Sequence, residues 1–188
     1  MNLVQEMPQL FTLDRLEEAL ERLRVVTGMM REQPGFLSAE VLQNTAMPTT
    51  LLVLHAWRDL ADWEKFSRSP EKAAFMAGRP EGLYVMAECG LNWRSQQAHG
   101  AREGGILRRE VIRRDDATLR AGTGILGCQT FVYQDELPAF TSATLRLTRI
   151  SDATAASDSD ANALFDETYT SLFVVPSRQS ASVDAAGA

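Results

Sequence analysis

Hydrophobic residues recur at helical spacing in the clearest segment of the chain, Leu13 to Glu32. Apolar positions fall three or four residues apart there and charged side chains take the opposite face, which predicts an amphipathic helix. The apolar positions are Leu13, Leu16, Leu20, Leu23, Val26 and Met30. We expect Thr12 to cap this helix and Pro34-Gly35 to end it. A short strand over Leu3–Leu10 is expected to precede it, although Pro8 weakens the strand pattern.

Alternating hydrophobic positions predict three further strands, over Phe36–Gln43, Thr50–Trp57 and Leu83–Trp93. The second of these is apolar on both faces, so we expect both of its faces to be covered. Residues 59–66 have the pattern of a short helix, and Ser69-Pro70 begins another. The order strand, helix, strand, strand, helix, strand predicts a ferredoxin-like α+β unit.

The second half of the chain resembles a degenerate copy of the first. The matching segments, in the same order, are 35–42 with 124–131, 50–57 with 141–150, 73–75 with 163–165 and 83–86 with 172–175. This order predicts an internal repeat, and the alternative is a single α+β domain with extra C-terminal strands.

The repeat divides the chain into a first unit over 1–96, a degenerate second half over 97–176 and a tail over 177–188. Residues 95–105 are polar and glycine-rich and are interpreted as a linker. The tail is small and polar, and we expect it to be disordered.

Composition excludes several classes of function. The net charge of −6 and a pI near 5.0 argue against nucleic-acid binding. No apolar run approaches the roughly 18 residues of a membrane span, and the N-terminus lacks the pattern of a secretion signal, so a cytoplasmic protein is expected. Cys89 and Cys128 form no disulfide framework and are expected to be buried. With His55 and His99 as the only histidines, no metal site is predicted.

Three stretches resemble the antibiotic biosynthesis monooxygenase family. They read PGFLSAEVL over 34–42, WRDLADW over 57–63 and SPEKAA over 69–74. That family has the dimeric α+β barrel fold, in which the sheets of two ferredoxin-like units face each other. The resemblance covers residues 1–95 directly and the rest through the repeat. It implies a barrel closed within one chain by a tandem of two family-like halves, and a homodimer is compatible with this arrangement.

The resemblance also implies candidate site residues. In the family's anthrone oxygenases, the tryptophan that corresponds to Trp57 follows an asparagine by four residues and precedes an aromatic residue by six. Those two positions are Val53 and Trp63 here, and Arg79 lies nearest to a helix arginine that contributes in those enzymes. Phe75 stands where the family's haem-degrading members have an iron-ligating histidine, so haem degradation is not expected.

His55 is the candidate catalytic residue. It shares a strand face with Val53 and Trp57, so in a barrel we expect it to point into the cavity. An imidazole, with an ordinary pKa of about 6.5, can accept a proton from a phenol there or hydrogen-bond to it. The structural alternative is a core histidine held by a backbone carbonyl. Trp57 and Trp63 are the expected aromatic walls.

Other candidates have weaker patterns. Tyr84 is a candidate donor to a substrate carbonyl. Trp93 ends a strand and shares the face of Leu91 and Cys89. The basic cluster of Arg108, Arg109, Arg113 and Arg114 is interpreted as a solvated strand or turn. Arg146 and Arg149 lie on a strand on which Thr144, Arg146 and Thr148 share one face, and that face is either exposed or lines a polar pocket.

Together these patterns predict a monooxygenase that tailors an aromatic polyketide-type natural product. We expect a small hydrophobic aromatic substrate, dioxygen and no metal or tightly bound cofactor, with reduced flavin left open. The predicted substrate-binding residues are Val53, Trp57, Trp63, Phe75, Arg79, Tyr84 and Trp93. The alternatives are a polyketide cyclase or isomerase on the same fold and a non-catalytic small-molecule binding protein.

Overall fold

The computed structural model describes residues 2–87, 90–100, 106–112, 125–133, 143–151 and 163–178. Within these ranges the helices are α1 (Leu16–Arg31), α2 (Leu60–Ser67) and α3 (Pro70–Ala77), and a short 3-10 turn over Leu13–Arg15 leads into α1. The strands are β1 (Leu3–Phe11), β2 (Phe36–Asn44), β3 (Thr50–Trp57), β4 (Tyr84–Ala87), β5 (Leu91–Gly100), β6 (Ile106–Ile112), β7 (Ile125–Tyr133), β8 (Thr144–Ile150) and β9 (Ala163–Pro176). No helix of the described residues is long and apolar enough to cross a membrane.

The strands form one antiparallel sheet that closes on itself. Neighbouring strands follow the order β3-β2-β9-β6-β8-β7-β5-β1, and β1 also pairs with β3, which completes the ring. β4 pairs with the end of β1 that β5 leaves uncovered. Closure pairs the strand edges that an open sheet would expose. The barrel is therefore complete within one chain.

The two halves contribute strands in the same order. The first half runs β2-β3-β1 and then β4 with β5, and the second runs β7-β8-β6-β9. They join where β9 pairs with β2 and where β7 pairs with β5. The predicted α+β fold, a ferredoxin-like barrel built as a tandem, is confirmed. One match within the repeat is wrong, because 163–165 lie in strand β9 whereas 73–75 lie in helix α3.

The first half keeps the predicted first strand and departs from the predicted elements in two other places. Strand β1 runs through Pro8, which falls between its pairings with β5 and with β4 and so does not interrupt either. The predicted strand over 83–93 is divided into β4 and β5, and β5 takes in 95–100 of the predicted linker. Thr12 does not cap a helix, because its hydroxyl donates to the Gly82 carbonyl at 2.8 Å.

Local sequence signals set the ends of the helices that cover this half. Gly35 follows α1 with φ of 81°, and a Cβ there would lie 1.9 Å from an Asp62 carboxylate oxygen. The Asp59 carboxylate accepts from the Asp62 amide at 3.0 Å and caps α2. The Ser69 hydroxyl oxygen accepts from the Lys72 amide at 3.1 Å and caps α3.

Two hydrophobic cores lie on opposite sides of the barrel wall. One fills the space between the first-half sheet and the helices and includes Phe11, Leu23, Met30, Val53 and Trp57. The other fills the barrel interior and includes Leu52, Leu54, Trp93, Leu145 and Tyr169. Successive residues of β3 alternate between the two cores, so the prediction that this strand is covered on both faces is confirmed.

Candidate active site

The face of β3 that carries His55 points toward the helices. Val53 and Trp57, which share that face, belong to the core beneath α1–α3. Leu52 and Leu54, on the other face, belong to the barrel interior. The His55 side chain therefore lies on the helix side of β3, in contrast to the expected direction into the barrel, although His55 also borders the cavity at the end of the barrel.

His55 is fully buried and engaged at both ring nitrogens. The indole Nε1 of Trp57 donates to Nδ1 at 2.7 Å, and Nε2 lies 3.1 Å from the sulfur of Met7. Because Nδ1 accepts a hydrogen bond, the neutral ring carries its proton on Nε2. Burial lowers the pKa of His55 to about 3, with a smaller contribution from the nearby Lys72 ammonium. The ring is therefore neutral near pH 7.

The predicted aromatic walls come together around this histidine. The Trp63 ring centroid lies 4.8 Å from that of His55 and 5.8 Å from that of Trp57. Phe66 extends the cluster, stacked on Trp57 at 5.7 Å. Such packing fixes ring orientations at low entropic cost. The structure thus joins His55, Trp57 and Trp63 in one rigid group under α2.

Next to this group, a cavity of about 100 Å³ lies between the sheet and the helices. It is lined by Met7, Gln9, Leu23, Val26, Met30, Val53, Lys72, Phe75, Met76, Arg79 and Tyr84. Four predicted substrate-binding residues, Val53, Phe75, Arg79 and Tyr84, therefore share one cavity. Met7 lines the cavity and also contacts His55, so a single side chain connects the two.

The cavity has two polar groups that the sequence analysis missed. Lys72 is one, and burial lowers the pKa of its ammonium group, assisted by the nearby Arg22 guanidinium. The other is Gln9, whose Oε1 is buried without a hydrogen-bond partner in the described part of the chain. The spacing of Lys72 and Phe75, three residues apart on one face of α3, is the signal that points to Lys72.

Trp93 lies apart from these residues. Its ring is in the barrel interior, where Nε1 donates to Glu6 at 2.8 Å. Arg109 also binds Glu6, with Nε 2.6 Å from the carboxylate, and reaches Glu167 at 2.9 Å. Trp93 thus belongs to a buried ionic network and does not join the group around His55.

The interpretation of the basic cluster as solvated is wrong for its two described members. Arg108 and Arg109 are 3% and 6% exposed, and Arg108 donates to Asp166 at 2.8 and 2.9 Å. Arg113 and Arg114 lie outside the described residues. A carboxylate partner is what permits an arginine to be buried. Sequence spacing could not reveal this, because the partners lie on other strands.

A second, larger cavity of about 490 Å³ lies at one end of the barrel interior. Strands of both halves form its walls, and Arg149 lines it together with Glu40, to which Arg149 Nη1 donates at 3.1 Å. Arg149 lies on the barrel face of β8, the opposite face from Thr144, Arg146 and Thr148. Arg146 is instead buried against Glu110, with bonds of 2.8 and 2.9 Å.

The described residues contain no cluster of three histidine, cysteine or acidic side chains that could hold a metal ion. Cys128 is buried, as expected, with its sulfur 3.6 Å from the Thr148 hydroxyl. Cys89 lies outside the described residues.

Residues 12–78 match the family model for antibiotic biosynthesis monooxygenases. This segment is therefore similar to an antibiotic biosynthesis monooxygenase domain, and it is called the monooxygenase domain below. It contains α1–α3, β2 and β3, and therefore His55, the aromatic cluster and Lys72. A comparison with curated proteins finds no significant match.

Solved structures extend the likeness of the monooxygenase domain to the whole chain. An anthrone oxidase-like protein superposes with a TM-score of 0.68 at 11% identity, over 94% of this chain and 93% of the other. A proposed monooxygenase from Lactobacillus acidophilus superposes with a TM-score of 0.65 at 6% identity, over 93% of this chain and 96% of the other. A second proposed monooxygenase, from Fusobacterium nucleatum, superposes with a TM-score of 0.64 at 9% identity, over 93% of this chain and 94% of the other. At these identities the likeness shows a shared fold that includes both halves of the barrel.

Proposed function

We propose that the protein is an oxygenase that oxidises a phenolic or anthrone-like ring of an aromatic polyketide-type natural product. The observation that carries this proposal is the small cavity between sheet and helices, which combines apolar walls with the half-buried amine of Lys72. The monooxygenase domain, and the fold shared with an anthrone oxidase-like protein, support the reaction class. The proposed partners are the small aromatic substrate and dioxygen.

Lys72 is proposed as the base. An amine whose pKa is lowered by burial is neutral in a larger fraction of molecules at pH 7–9 than an exposed lysine. It can take a proton from the substrate, and the resulting ammonium then stabilises the substrate anion in an apolar site. The electron-rich anion reduces dioxygen. A naphthol then yields a quinone and one water, so that one oxygen atom enters the ring and dioxygen is the only oxidant.

His55 is proposed as a hydrogen-bond donor. Its Nδ1 already accepts from Trp57, and its Nε2 carries the proton, so the ring as placed donates more readily than it accepts. Met7 separates Nε2 from the cavity. Methionine is flexible, so a shift of this one side chain would let Nε2–H reach a substrate oxygen.

The size of the cavity restricts what enters it. A void of comparable size, about 150 Å³, holds a single benzene ring. Met76 lines the cavity and is 45% exposed, which places the opening beside α3. We therefore expect the reacting ring to enter and the rest of a polycyclic substrate to extend past Met76 and Arg79.

The test is oxygen uptake with naphthol or anthrone, with and without reduced flavin, and with isotopically labelled dioxygen followed into the product. Labelled quinone without flavin would support the cofactor-free reaction, and labelled quinone only with flavin would assign the reductant. A rearranged product without label would indicate a cyclase. Binding without any turnover would indicate a binding protein.

Variants at the two polar residues assign their roles. We expect Lys72→Met to lower kcat by about 100-fold or more, and Lys65→Met, at an exposed site on α2, to change nothing. The rate should rise with pH through the lowered pKa of Lys72, and this rise should be absent in Lys72→Met. His55→Ala is expected to abolish turnover, and unchanged turnover would remove its proposed role.

A further inference from the structure

The cavity at the end of the barrel shares no lining residue with the smaller cavity around Lys72, although His55 of β3 borders it. It lies on the other side of the barrel wall from Lys72 and is bounded by Leu54 and Ala56 of the first half and by Phe131 and Leu147 of the second. Its volume, about 490 Å³, is within the range of small-molecule sites, about 300–1,000 Å³. The monooxygenase domain alone cannot form it.

The polar groups of this cavity are grouped and charged. Glu40 and Arg149 form an ion pair that is 4% and 3% exposed, and both side chains line the cavity. Ser38, Ser95 and Gln129 add neutral donors and acceptors. Asn2 and Pro176 are exposed, which places the opening at this end of the barrel.

The ion pair determines the charge of a suitable ligand. An anion would be attracted by Arg149 but repelled by Glu40, and a cation would meet the reverse, so either loses more hydration than it regains. A hydroxyl, in contrast, can donate to a carboxylate oxygen, which accepts more than one hydrogen bond, while it accepts from a neighbouring amide or hydroxyl. The apolar walls then cover a hydrocarbon body.

We propose that the barrel cavity is a second ligand site, which binds an uncharged, largely apolar molecule carrying a hydroxyl group. The hydroxyl lies at the Glu40–Arg149 pair, and the hydrocarbon body packs between Leu54, Phe131 and Leu147. This cavity shares no lining residue with the smaller cavity that holds Lys72, and His55 of β3, which borders it, is the one residue it has in common with the proposed oxygenation.

Titration calorimetry with naphthol, naphthoate, naphthylmethylammonium and naphthalene tests the proposal. The Val53→Phe variant is used as the background, because Val53 lines only the smaller cavity, which the larger side chain fills. We expect one naphthol per chain, bound about tenfold or more tightly than the other three probes, because the hydroxyl bonds to a charged group.

Two further variants locate the site. Ala56→Phe should abolish this binding by filling the barrel cavity. An unchanged midpoint of denaturant unfolding shows that the variant is folded. If the midpoint shifts, the order of affinity among the four probes carries the test instead. Glu40→Leu combined with Arg149→Met should leave naphthol and naphthalene bound equally. Binding that persists in Ala56→Phe, or that favours naphthoate, would overturn the proposal. Neither result depends on oxygen uptake, so failure of the oxygenase proposal is scored separately.

Discussion

On the outer face of the first half, β3 carries His55 and Trp57 against the covering helices. On the corresponding face of the second half, β6 and β8 carry Glu110, Arg146 and Thr148, and all three are buried. Both halves nevertheless present apolar residues to the barrel interior. The repeat therefore preserves the barrel wall, whereas the described residues of its two outer faces differ, because the second adds buried charged and hydroxyl side chains to its apolar ones. Among the described residues, the small cavity with apolar walls lies on the first outer face, and we propose the oxygenase site there.

The largest effect should come from breaking the ionic face. Glu110→Leu removes the carboxylate that accepts two hydrogen bonds from Arg146, and should cost about 3–5 kcal/mol of the free energy of unfolding. Urea unfolding followed by circular dichroism measures it. The double variant Glu110→Leu with Arg146→Met should recover most of the loss, because both charges are then gone. If the double variant is no more stable than the single, the pair does not stabilise this face as we describe.

Sequence patterns predicted the helices, strands and tandem arrangement that depend on the spacing and order of hydrophobic residues. The spacing of Leu20, Leu23 and Val26 gave α1, and the two apolar faces of 50–57 gave a strand covered on both sides. The order of the matching segments gave the tandem. Each of these depends on neighbours in the chain, where physical rules of spacing apply directly.

What depends on partners distant in the chain could not be predicted. Arg109 is buried because Glu6 lies opposite it, 103 residues away in sequence. The orientation of His55 depended on which face of β3 the barrel interior takes, and alternation alone does not distinguish two apolar faces. Val53, Phe75 and Arg79 were found through the family resemblance, and Tyr84 through its place on a strand. Lys72 required knowing that the face of α3 that it shares with Phe75 borders a cavity.

The pH dependence of stability tests the outer face of the first half, where His55 lies among aromatic rings. The folded-state pKa of His55, about 3, lies below the value of about 6.5 expected in the unfolded chain. Above pH 6.5 both states are neutral and stability is unaffected. As the pH falls below 6.5 only the unfolded state takes up a proton, so stability is lost down to about pH 3, by about 2–3 kcal/mol between pH 6.5 and 4.5.

His55→Asn is the matched variant for this titration. Its amide oxygen can still accept from the Trp57 indole, but the side chain does not titrate. We expect the difference in unfolding free energy between the original protein and the variant to shrink steadily from pH 6.5 to 4.5. A difference that stays constant over this range would show that His55 is protonated in the folded state or that the folded and unfolded values coincide.

The smallest effect comes from the helix caps, and it separates stability from binding. Ser69→Ala and Asp59→Ala each remove one capping bond and should each cost about 1 kcal/mol. The two helices differ in what they carry: α3 supplies Lys72 and Phe75 to the small cavity, whereas Trp63 and Phe66 of α2 do not line it. Fraying of α3 should therefore raise KM for naphthol in Ser69→Ala, while Asp59→Ala leaves KM unchanged at equal loss of stability. Equal KM values in both variants would mean that substrate is not held by α3, and the site would then have to be sought on the barrel side of the wall.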